Sequence, residues 1–409
     1  MEISGGRRVF FGWFVVGGAF TILFLGFGIA YSFASFFYEF EADFEASRGD
    51  ISLIFSIAGF LYFSLGAVSG PLSDRLGARP VVAFGIILIA LGLFMASFAV
   101  SLWQVYLTYG AAVGVGIGFS YVPSVGVLQR WFVRRRGFAT GLAVAGIGVG
   151  TLAAPPFCRL LVESLGWRET FQVLSAGVLL LGLLAAWLLF PNPMVRGLYP
   201  DGDAKPIGGA ASSSGISLRE ALSSYPFWLL FVSSTIISLG LFVPFVHLVK
   251  FSVDHGHEQS WAILLISLIG VGSMSGRLTL GGLADRFGRH RSVVTMFLGM
   301  ASVQAWWYFS TSFWALAIFA VLFGLFYGGY VALAPALAAD YFGTRNVSGI
   351  IGLQYSGTAI GNLIGPVAAG FTFDVTQTYD LPIALSASTG FLAVAVILML
   401  PSPDRWREV

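Results

Sequence analysis

The sequence predicts an all-α membrane protein whose chain crosses the bilayer twelve times. Of its 409 residues, 57% are hydrophobic and only 10% are charged, and the mean hydropathy is +0.84. Average soluble domains carry roughly 25% charged residues. So few charges cannot cover a water-exposed surface, so lipid must be the solvent for most of the chain. The net charge of +2 is too small and too scattered to indicate a nucleic-acid partner.

Long apolar stretches define the predicted spans. A helix needs about 20 apolar residues to cross the hydrocarbon core, whereas a transmembrane barrel would show short alternating segments. The stretches are long and continuous, which favours helices. The twelve predicted spans are 11–38, 50–70, 80–99, 102–132, 137–163, 168–191, 224–250, 260–281, 292–310, 312–338, 347–373 and 380–401.

The distribution of basic residues predicts the orientation. If both termini are cytoplasmic, most of the 22 Lys and Arg residues lie on the cytoplasmic side, as membrane proteins generally require. The exceptions are Arg48, Arg159, Arg168 and Lys250 on the outer side and Arg277 within a span. We therefore expect a multi-pass protein of the cell membrane, plasma or inner, with both termini in the cytoplasm.

The longest polar stretch divides the chain into two parts. It is rich in Gly, Ser and Asp and predicts a flexible cytoplasmic linker at 191–223 between six-helix bundles at 10–190 and 224–401. Near its end, Ser217 and Glu220 have the spacing of a capping box, which predicts a short helix before the seventh span.

An internal repeat with a constant spacing of 211 residues supports this division. Two halves of this kind, related by an axis along the membrane normal, hold the substrate between them in one large class of transporters. The repeated pairs are Gly70/Gly281, Leu72/Leu283, Asp74/Asp285, Arg75/Arg286, Gly77/Gly288, Gly118/Gly329, Gly141/Gly352, Gly146/Gly357, Gly150/Gly361 and Pro155/Pro366.

The repeated loop carries a family resemblance. The segment GPLSDRLGARP at 70–80 and its copy GLADRFGRHR at 282–291 resemble the loop signature of the major facilitator superfamily. The resemblance covers the whole chain and implies two pseudo-symmetric six-helix bundles. Its charged residues are expected to form a cytoplasmic latch that favours one access state; the alternative is a static charge cluster that only sets topology. The expected latch residues are Asp74, Arg75, Asp285 and Arg286.

A second motif narrows the resemblance. The segment WFVRRRGFATGLAVAGIGVG at 131–150 resembles the signature of the monocarboxylate transporter family and of the related oxalate/formate antiporters. Helix packing alone explains its small residues, but not their combination with the basic run. Tyr31 stands where animal members carry a basic residue, which implies a bacterial-type branch. Thr358 stands where the oxalate type carries a second cation, which implies a substrate with one carboxylate.

Arg277 is the strongest candidate for a substrate-binding residue. It lies within the eighth span, and its counterpart in the repeat is Gly66, so the fold does not require an arginine here. An arginine in a span is costly and usually marks a substrate or ion path. It could extend to the inner interface, pair with a buried acid, or bind a transported anion. No acidic residue lies near the middle of any span, which favours the anion, since a guanidinium matches a carboxylate.

The family resemblance implies the same role, because these transporters hold the substrate carboxylate with an arginine in the eighth span. The acid that animal members carry in that span is absent; Ile266 stands about eleven residues before Arg277. A carboxylate accepts more hydrogen bonds than one arginine supplies, so further polar residues are expected around it. The candidates are Tyr31, Tyr121, Tyr327, Tyr330, Gln354, Tyr355 and Asn362.

These observations predict a secondary transporter that moves a small monocarboxylate such as lactate or pyruvate by alternating access, with proton symport. Carboxylate exchange explains the lack of an acidic proton carrier equally simply. An efflux carrier and a membrane sensor on the same fold are further alternatives. We find no catalytic constellation, so an enzyme is not expected. No cofactor is expected, and metal binding by His255 and His257 is disfavoured. The oligomeric state stays open, and a monomer is plausible.

Overall fold

The computed structural model describes residues 10–132, 135–202, 216–343 and 347–401, without the side chains of Asp74, Gln129, Arg136, Gly137, 281–286, Val347 and Ser348. All regular elements of these residues are helices. Ten are long and apolar enough to cross a membrane by length and composition, and α9 and α11 occupy the predicted ninth and eleventh spans. The all-α membrane fold is therefore confirmed. The long helices are α1 Gly12–Tyr31, α2 Arg48–Ser73, α3 Ala78–Ala96, α4 Leu102–Leu128, α5 Phe138–Leu165, α6 Trp167–Leu188, α7 Tyr225–Asp254, α8 Gln259–Leu280, α9 Arg289–Trp307, α10 Phe313–Phe342, α11 Val347–Thr376 and α12 Asp380–Leu398.

Two helices differ locally from the predicted spans. The predicted first span continued to residue 38, but α1 ends at Tyr31 and is followed by a 3-10 turn and the short helix Phe37–Phe44. Helix α7 is interrupted at Phe242, two residues before Pro244. Proline cannot donate a backbone hydrogen bond to the preceding turn, so this break follows from the sequence.

The packing of small residues follows the sequence repeat. A Cβ atom on Gly146 of α5 would lie 2.3 Å from the Phe20 carbonyl of α1, so these two helices touch through their backbones. The same contact recurs in the second half, where Gly357 of α11 faces the Phe231 carbonyl of α7 at 3.1 Å. Both partners of the second contact are 211 residues beyond those of the first. The repeat is therefore present in the helix packing as well as in the sequence.

The loop signature also has the same backbone in both copies. Gly77 and Gly288 adopt φ angles of 86° and 88°, a left-handed region that favours glycine. Each ends one helix and starts the next. The capping box predicted at Ser217 is confirmed, because the Ser217 hydroxyl accepts from the Glu220 backbone and the Glu220 carboxylate accepts from Ser217.

The helices pack mainly within each half of the chain, with α1 against α5, α3 against α6, α8 against α10 and α7 against α11. Among the described residues, the most extensive contacts between the halves are those of α2 with α11 and of α5 with α8. The division into two bundles joined at 191–223 stays a prediction. We call the end of the molecule where α2 begins the Arg48 end, and the opposite end, where α6 leads toward the linker, the linker end.

Candidate functional site

A cavity of about 40 Å³ lies between the two halves. Eight helices contribute to its wall, and most of the lining is aromatic or aliphatic. A water molecule needs roughly 10–15 Å³ by this measure, so the cavity has room for a few molecules of that size. The lining residues are Phe27, Phe63, Tyr121, Ile147, Leu241, Phe242, Arg277, Tyr327, Tyr330, Val331, Ala334, Tyr355 and Thr358.

Arg277 supplies the positive charge of the cavity. Its Nη1 donates a hydrogen bond of 3.0 Å to the Val144 carbonyl of α5. Its Nε and Nη2 are buried and have no hydrogen-bond partner among the described residues. Within that same set of residues, no carboxylate forms an ion pair with Arg277. A guanidinium held in this way can accept a planar anion through the N–H groups that the protein leaves free.

Close backbone contacts set the position of Arg277. A Cβ on Gly276 would lie 2.0 Å from the Leu325 carbonyl of α10, and one on Gly270 would lie 2.6 Å from the Leu152 nitrogen of α5. Helix α8 therefore contacts α10 of its own half and α5 of the first half. This places Arg277 at the boundary between the halves.

Four of the five predicted tyrosines line the cavity, and the fifth, Tyr31, contacts Tyr327 behind them. The hydroxyls of Tyr31 and Tyr327 lie 2.9 Å apart, and the Tyr31 ring stacks on Phe245 with centroids 4.5 Å apart. Tyr121, Tyr327 and Tyr355 line the same cavity as Arg277. These groups offer several donors and acceptors around one cation.

Tyr330 and the two amides have different surroundings. The Tyr330 hydroxyl lines the cavity and donates to Ser234 Oγ at 3.1 Å. Gln354 lies in a smaller neighbouring pocket on the other side of Tyr330. Asn362 is fully buried between α2 and α11, where its amide fills the space that Gly59 leaves by having no side chain. The structure therefore brings the tyrosines together with Arg277 and places both amides away from the cavity.

Several lining residues were not predicted. Thr358 lies three residues after the lining residue Tyr355, and Ala334 lies four residues after Tyr330. Because residues three or four apart share a helix face, the helical period could have identified both. Phe63 and Phe242 carry no signal of this kind, because a phenylalanine in a span is usually packing.

The expected latch lies at the linker end. Arg75 is exposed at the end of the helix that follows Leu65. The side chains of Asp74, Asp285 and Arg286 lie outside the part of the chain that the structure describes. The latch therefore stays a prediction.

The Arg48 end carries a group of charged side chains that joins the two halves, which we call the Arg48 cluster. Its members are Glu41, Arg48, Lys250, Asp254, Asp374 and Tyr379.

Arg48 is the centre of this cluster. Its two Nη atoms donate to both oxygens of Asp254, at 2.5 and 3.0 Å, and Nη1 also donates to the Tyr379 hydroxyl at 3.0 Å. Its guanidinium lies 3.7 Å from the centre of the Phe373 ring. Arg48 belongs to the first half, and these partners belong to the second.

Two further contacts of the cluster cross between the halves. The carboxylate of Asp374 accepts from the backbone nitrogens of Arg48 and Gly49, at 3.1 and 3.0 Å, and so caps the first turn of α2. Lys250 forms an ion pair with Glu41. The halves are therefore in direct polar contact at this end of the cavity.

The sequence disfavours metal binding by His255 and His257. Their Nδ1 atoms contact the backbone carbonyls of Phe251 and Ser252. The described residues contain no group of three His, Cys, Asp or Glu side chains that could hold a metal ion.

Comparison with known proteins identifies the family. The family model of the Major Facilitator Superfamily matches residues 9–283 and 262–409. The chain is 31% identical to monocarboxylate transporter 13 of Rattus norvegicus over 95% of its own length and 89% of the relative's. It is 32% identical to monocarboxylate transporter 3 of Rattus norvegicus over 93% and 78% of the two chains. With monocarboxylate transporter 11 of Homo sapiens the identity is 31% over 96% and 84%.

These matches extend over nearly the whole chain, so they concern the complete bundle rather than one motif. They confirm the resemblance carried by residues 70–80 and 131–150, and they identify a multi-pass membrane transporter rather than an enzyme. The chain belongs to the monocarboxylate transporter family of the major facilitator superfamily.

Proposed function

We propose that this protein carries a small monocarboxylate, such as lactate or pyruvate, across the cell membrane in symport with a proton. The names of its relatives support the substrate class. The observation that carries the proposal is Arg277, whose Nε and Nη2 have no acceptor among the described residues. The carboxylate of the substrate binds these groups, and the tyrosine hydroxyls complete its hydrogen bonding.

Transport proceeds by alternating access. The bundles at 10–190 and 224–401 rock around the cavity, both termini lie in the cytoplasm, and the Arg48 end faces outward. The arrangement of the helices supports a conformation closed at the Arg48 end, because α2 and α11 are in contact there. In the opposite conformation, which is closed at the linker end, a latch holds that end closed. The latch consists of Asp74, Arg75, Asp285 and Arg286.

The size of the cavity supports a small substrate. About 40 Å³ is too little for a large apolar drug, and the fixed charge of Arg277 disfavours one further.

Symport of one proton with one monocarboxylate anion moves no net charge.

Purified protein in liposomes tests this function. Internal pH and labelled L-lactate are followed together under an imposed pH gradient, and we expect lactate entry to follow the proton gradient. Arg277→Ala removes two charge-assisted hydrogen bonds of about 1.5–3 kcal/mol each, so we expect uptake to fall by about 100-fold or more. Arg168→Ala is the matched control, because Arg168 is part-exposed and pairs with Asp43 away from the cavity.

Unchanged uptake in Arg277→Ala would refute the carboxylate site. Lactate entry that requires a second carboxylate inside the liposome, without any pH gradient, would replace symport with exchange.

A further inference from the structure

His247 lies fully buried at the boundary between the halves, close to the Arg48 cluster. It belongs to α7. Its Nε2 lies 2.9 Å from the Pro366 carbonyl of α11 and 3.2 Å from Ser52 Oγ of α2. Its Nδ1 lies 3.2 Å from the Tyr379 hydroxyl. The ring therefore contacts one helix of the first half and two elements of the second.

These contacts assign the protons of the ring. A backbone carbonyl can only accept, so Nε2 carries a hydrogen and donates it to Pro366. In the neutral ring Nδ1 is then an acceptor, and the Tyr379 hydroxyl donates to it. The Tyr379 oxygen in turn accepts from Arg48 Nη1. A neutral His247 is thus the end of a continuous hydrogen-bond chain that begins at Arg48.

A second proton is incompatible with this arrangement. It would place an N–H on Nδ1 against the Tyr379 oxygen, so the Tyr379 hydrogen would lose its acceptor. It would also leave a charged imidazole fully buried beside the Arg48 guanidinium, which is unfavourable because a buried charge without a counter-ion loses its hydration. The titratable or charged groups nearest the ring are Arg48, Asp374 and Tyr379. One contact further away, around Arg48 and Tyr379, lie Asp254, Glu41, Lys250 and Tyr38.

The nearby carboxylates are already occupied. Asp254 accepts from Arg48, Glu41 pairs with Lys250, and both oxygens of Asp374 accept from the backbone of α2. None is hydrogen-bonded to the imidazole in the closed arrangement. Separation of α2 from α7 and α11 would admit water to His247, and a hydrated imidazole takes up a proton near pH 6.5.

We propose that His247 makes closure of the Arg48 end depend on pH: this end closes around the neutral imidazole, and a proton on His247 favours the open state. The proposal rests on alternating access, but not on the identity of the substrate. Because the open state binds the additional proton, acidification shifts the equilibrium toward opening. Acid on the Arg48 side thereby exposes the site to that side.

Electron paramagnetic resonance distances test the proposal without substrate. Cys158 is the only cysteine and is buried, so Cys158→Ala provides a background for labels at Ala42→Cys and Val375→Cys, which are exposed and lie on different halves. Between about pH 8 and about pH 5.5 we expect the ratio of the long-distance to the short-distance population to rise about tenfold, as one histidine near 6.5 requires.

His247→Gln retains a donor and an acceptor but cannot titrate, so its ratio should not change over this range. His255→Gln is the matched control, because His255 is exposed a few residues further along the chain, and it should retain the tenfold rise. Tyr379→Phe removes the hydroxyl that donates to Nδ1 in the closed arrangement, so the closed state loses stability and the long-distance population should exceed that of the wild type already at about pH 8.

The proposal would be overturned if, in the wild type, the ratio of the long-distance to the short-distance population did not change with pH. A tenfold rise that persists in His247→Gln would also overturn it, as would a long-distance population in Tyr379→Phe at about pH 8 that equals that of the wild type. Because no carboxylate is present, these outcomes are independent of whether lactate is the substrate.

Discussion

Arg48 and Arg277 both lie at the boundary between the halves, but their guanidinium groups differ in the number of partners that the protein supplies. Arg48 is 11% exposed and is bonded to Asp254, Tyr379 and the Phe373 ring. Arg277 donates to one backbone carbonyl, and two of its nitrogens have no partner in the described part of the chain. Arg48 thus joins the halves through protein carboxylates, and the free donors of Arg277 support the proposal that it binds a substrate anion.

Among variants that keep both arginines, the largest expected effect comes from giving Arg277 a carboxylate of its own. Ala334→Glu places an acid in the cavity wall, so substrate must compete with an internal ion pair. Breaking such a pair is expensive, and we expect the L-lactate concentration for half-maximal uptake to rise by about 30-fold or more. Ala334→Gln has nearly the same volume without the charge. An equal effect of both variants would attribute the loss to volume and remove the parallel with Arg48.

An intermediate effect is expected where α2 and α11 meet. A Cβ on Gly370 would lie 2.7 Å from the Gly49 Cα, and backbone atoms cannot move aside unless the helices separate. Overpacking of this kind costs about 1–3 kcal/mol, so Gly370→Ala should raise the open population of the Arg48 end by about fivefold or more. The spin labels at residues 42 and 375 measure it.

Gly352→Ala, in the same helix, is the control, because its Cβ would meet Ala67 at an ordinary 3.6 Å. If both variants open the Arg48 end equally, the close contact at Gly370 does not control closure.

The smallest effect is expected for an ion pair at the Arg48 end that lies within one half. Asp43 accepts from the Trp167 indole at 2.8 Å and from Arg168 at 2.5 Å, and these two hydrogen bonds lower the pKa of Asp43. Both side chains of the pair are about 40% exposed, so solvent screens it and Asp43→Asn should cost less than about 1 kcal/mol. Thermal unfolding measures this cost.

The pH dependence of this cost has a defined sign. Because the folded state lowers the pKa of Asp43, its stabilisation is present above the ordinary value near 4 and is lost as the pH falls through the lowered value. The difference in unfolding temperature between wild type and Asp43→Asn should therefore narrow on acidification below about pH 4. A difference that widens would show that the pair does not stabilise the fold.

Asp43→Asn should leave the opening of the Arg48 end unchanged.

Much of the fold could be predicted because its determinants are local. Apolar stretches of about 20 residues define the spans, and the spacing of 211 residues relates Gly146 to Gly357 before any packing is known. The break at Phe242 also had a local cause in Pro244. The end of α1 at Tyr31 did not, because the apolar run continues through Phe33, Phe36 and Phe37 without a change in composition.

The candidate site was partly predictable. Arg277 stood out because an arginine in a span is costly and its counterpart Gly66 shows that the fold does not need it. Its tyrosines followed from their polarity in apolar helices. Gln354 and Asn362 satisfied the same criterion and yet lie away from the cavity, because polarity does not specify which face of a helix meets which neighbour.

The sequence by itself determined the solvent of the chain, the number and order of its helices, the repeat and the position of its unusual arginine. These features depend on composition and on short-range periodicity. Only the tertiary structure decided that Arg48 meets Asp254 and Tyr379, and that His247 of α7 lies against Ser52 of α2. Such pairs are about 200 or more residues apart in the chain, and their distance depends on how the two halves pack, which no local pattern records.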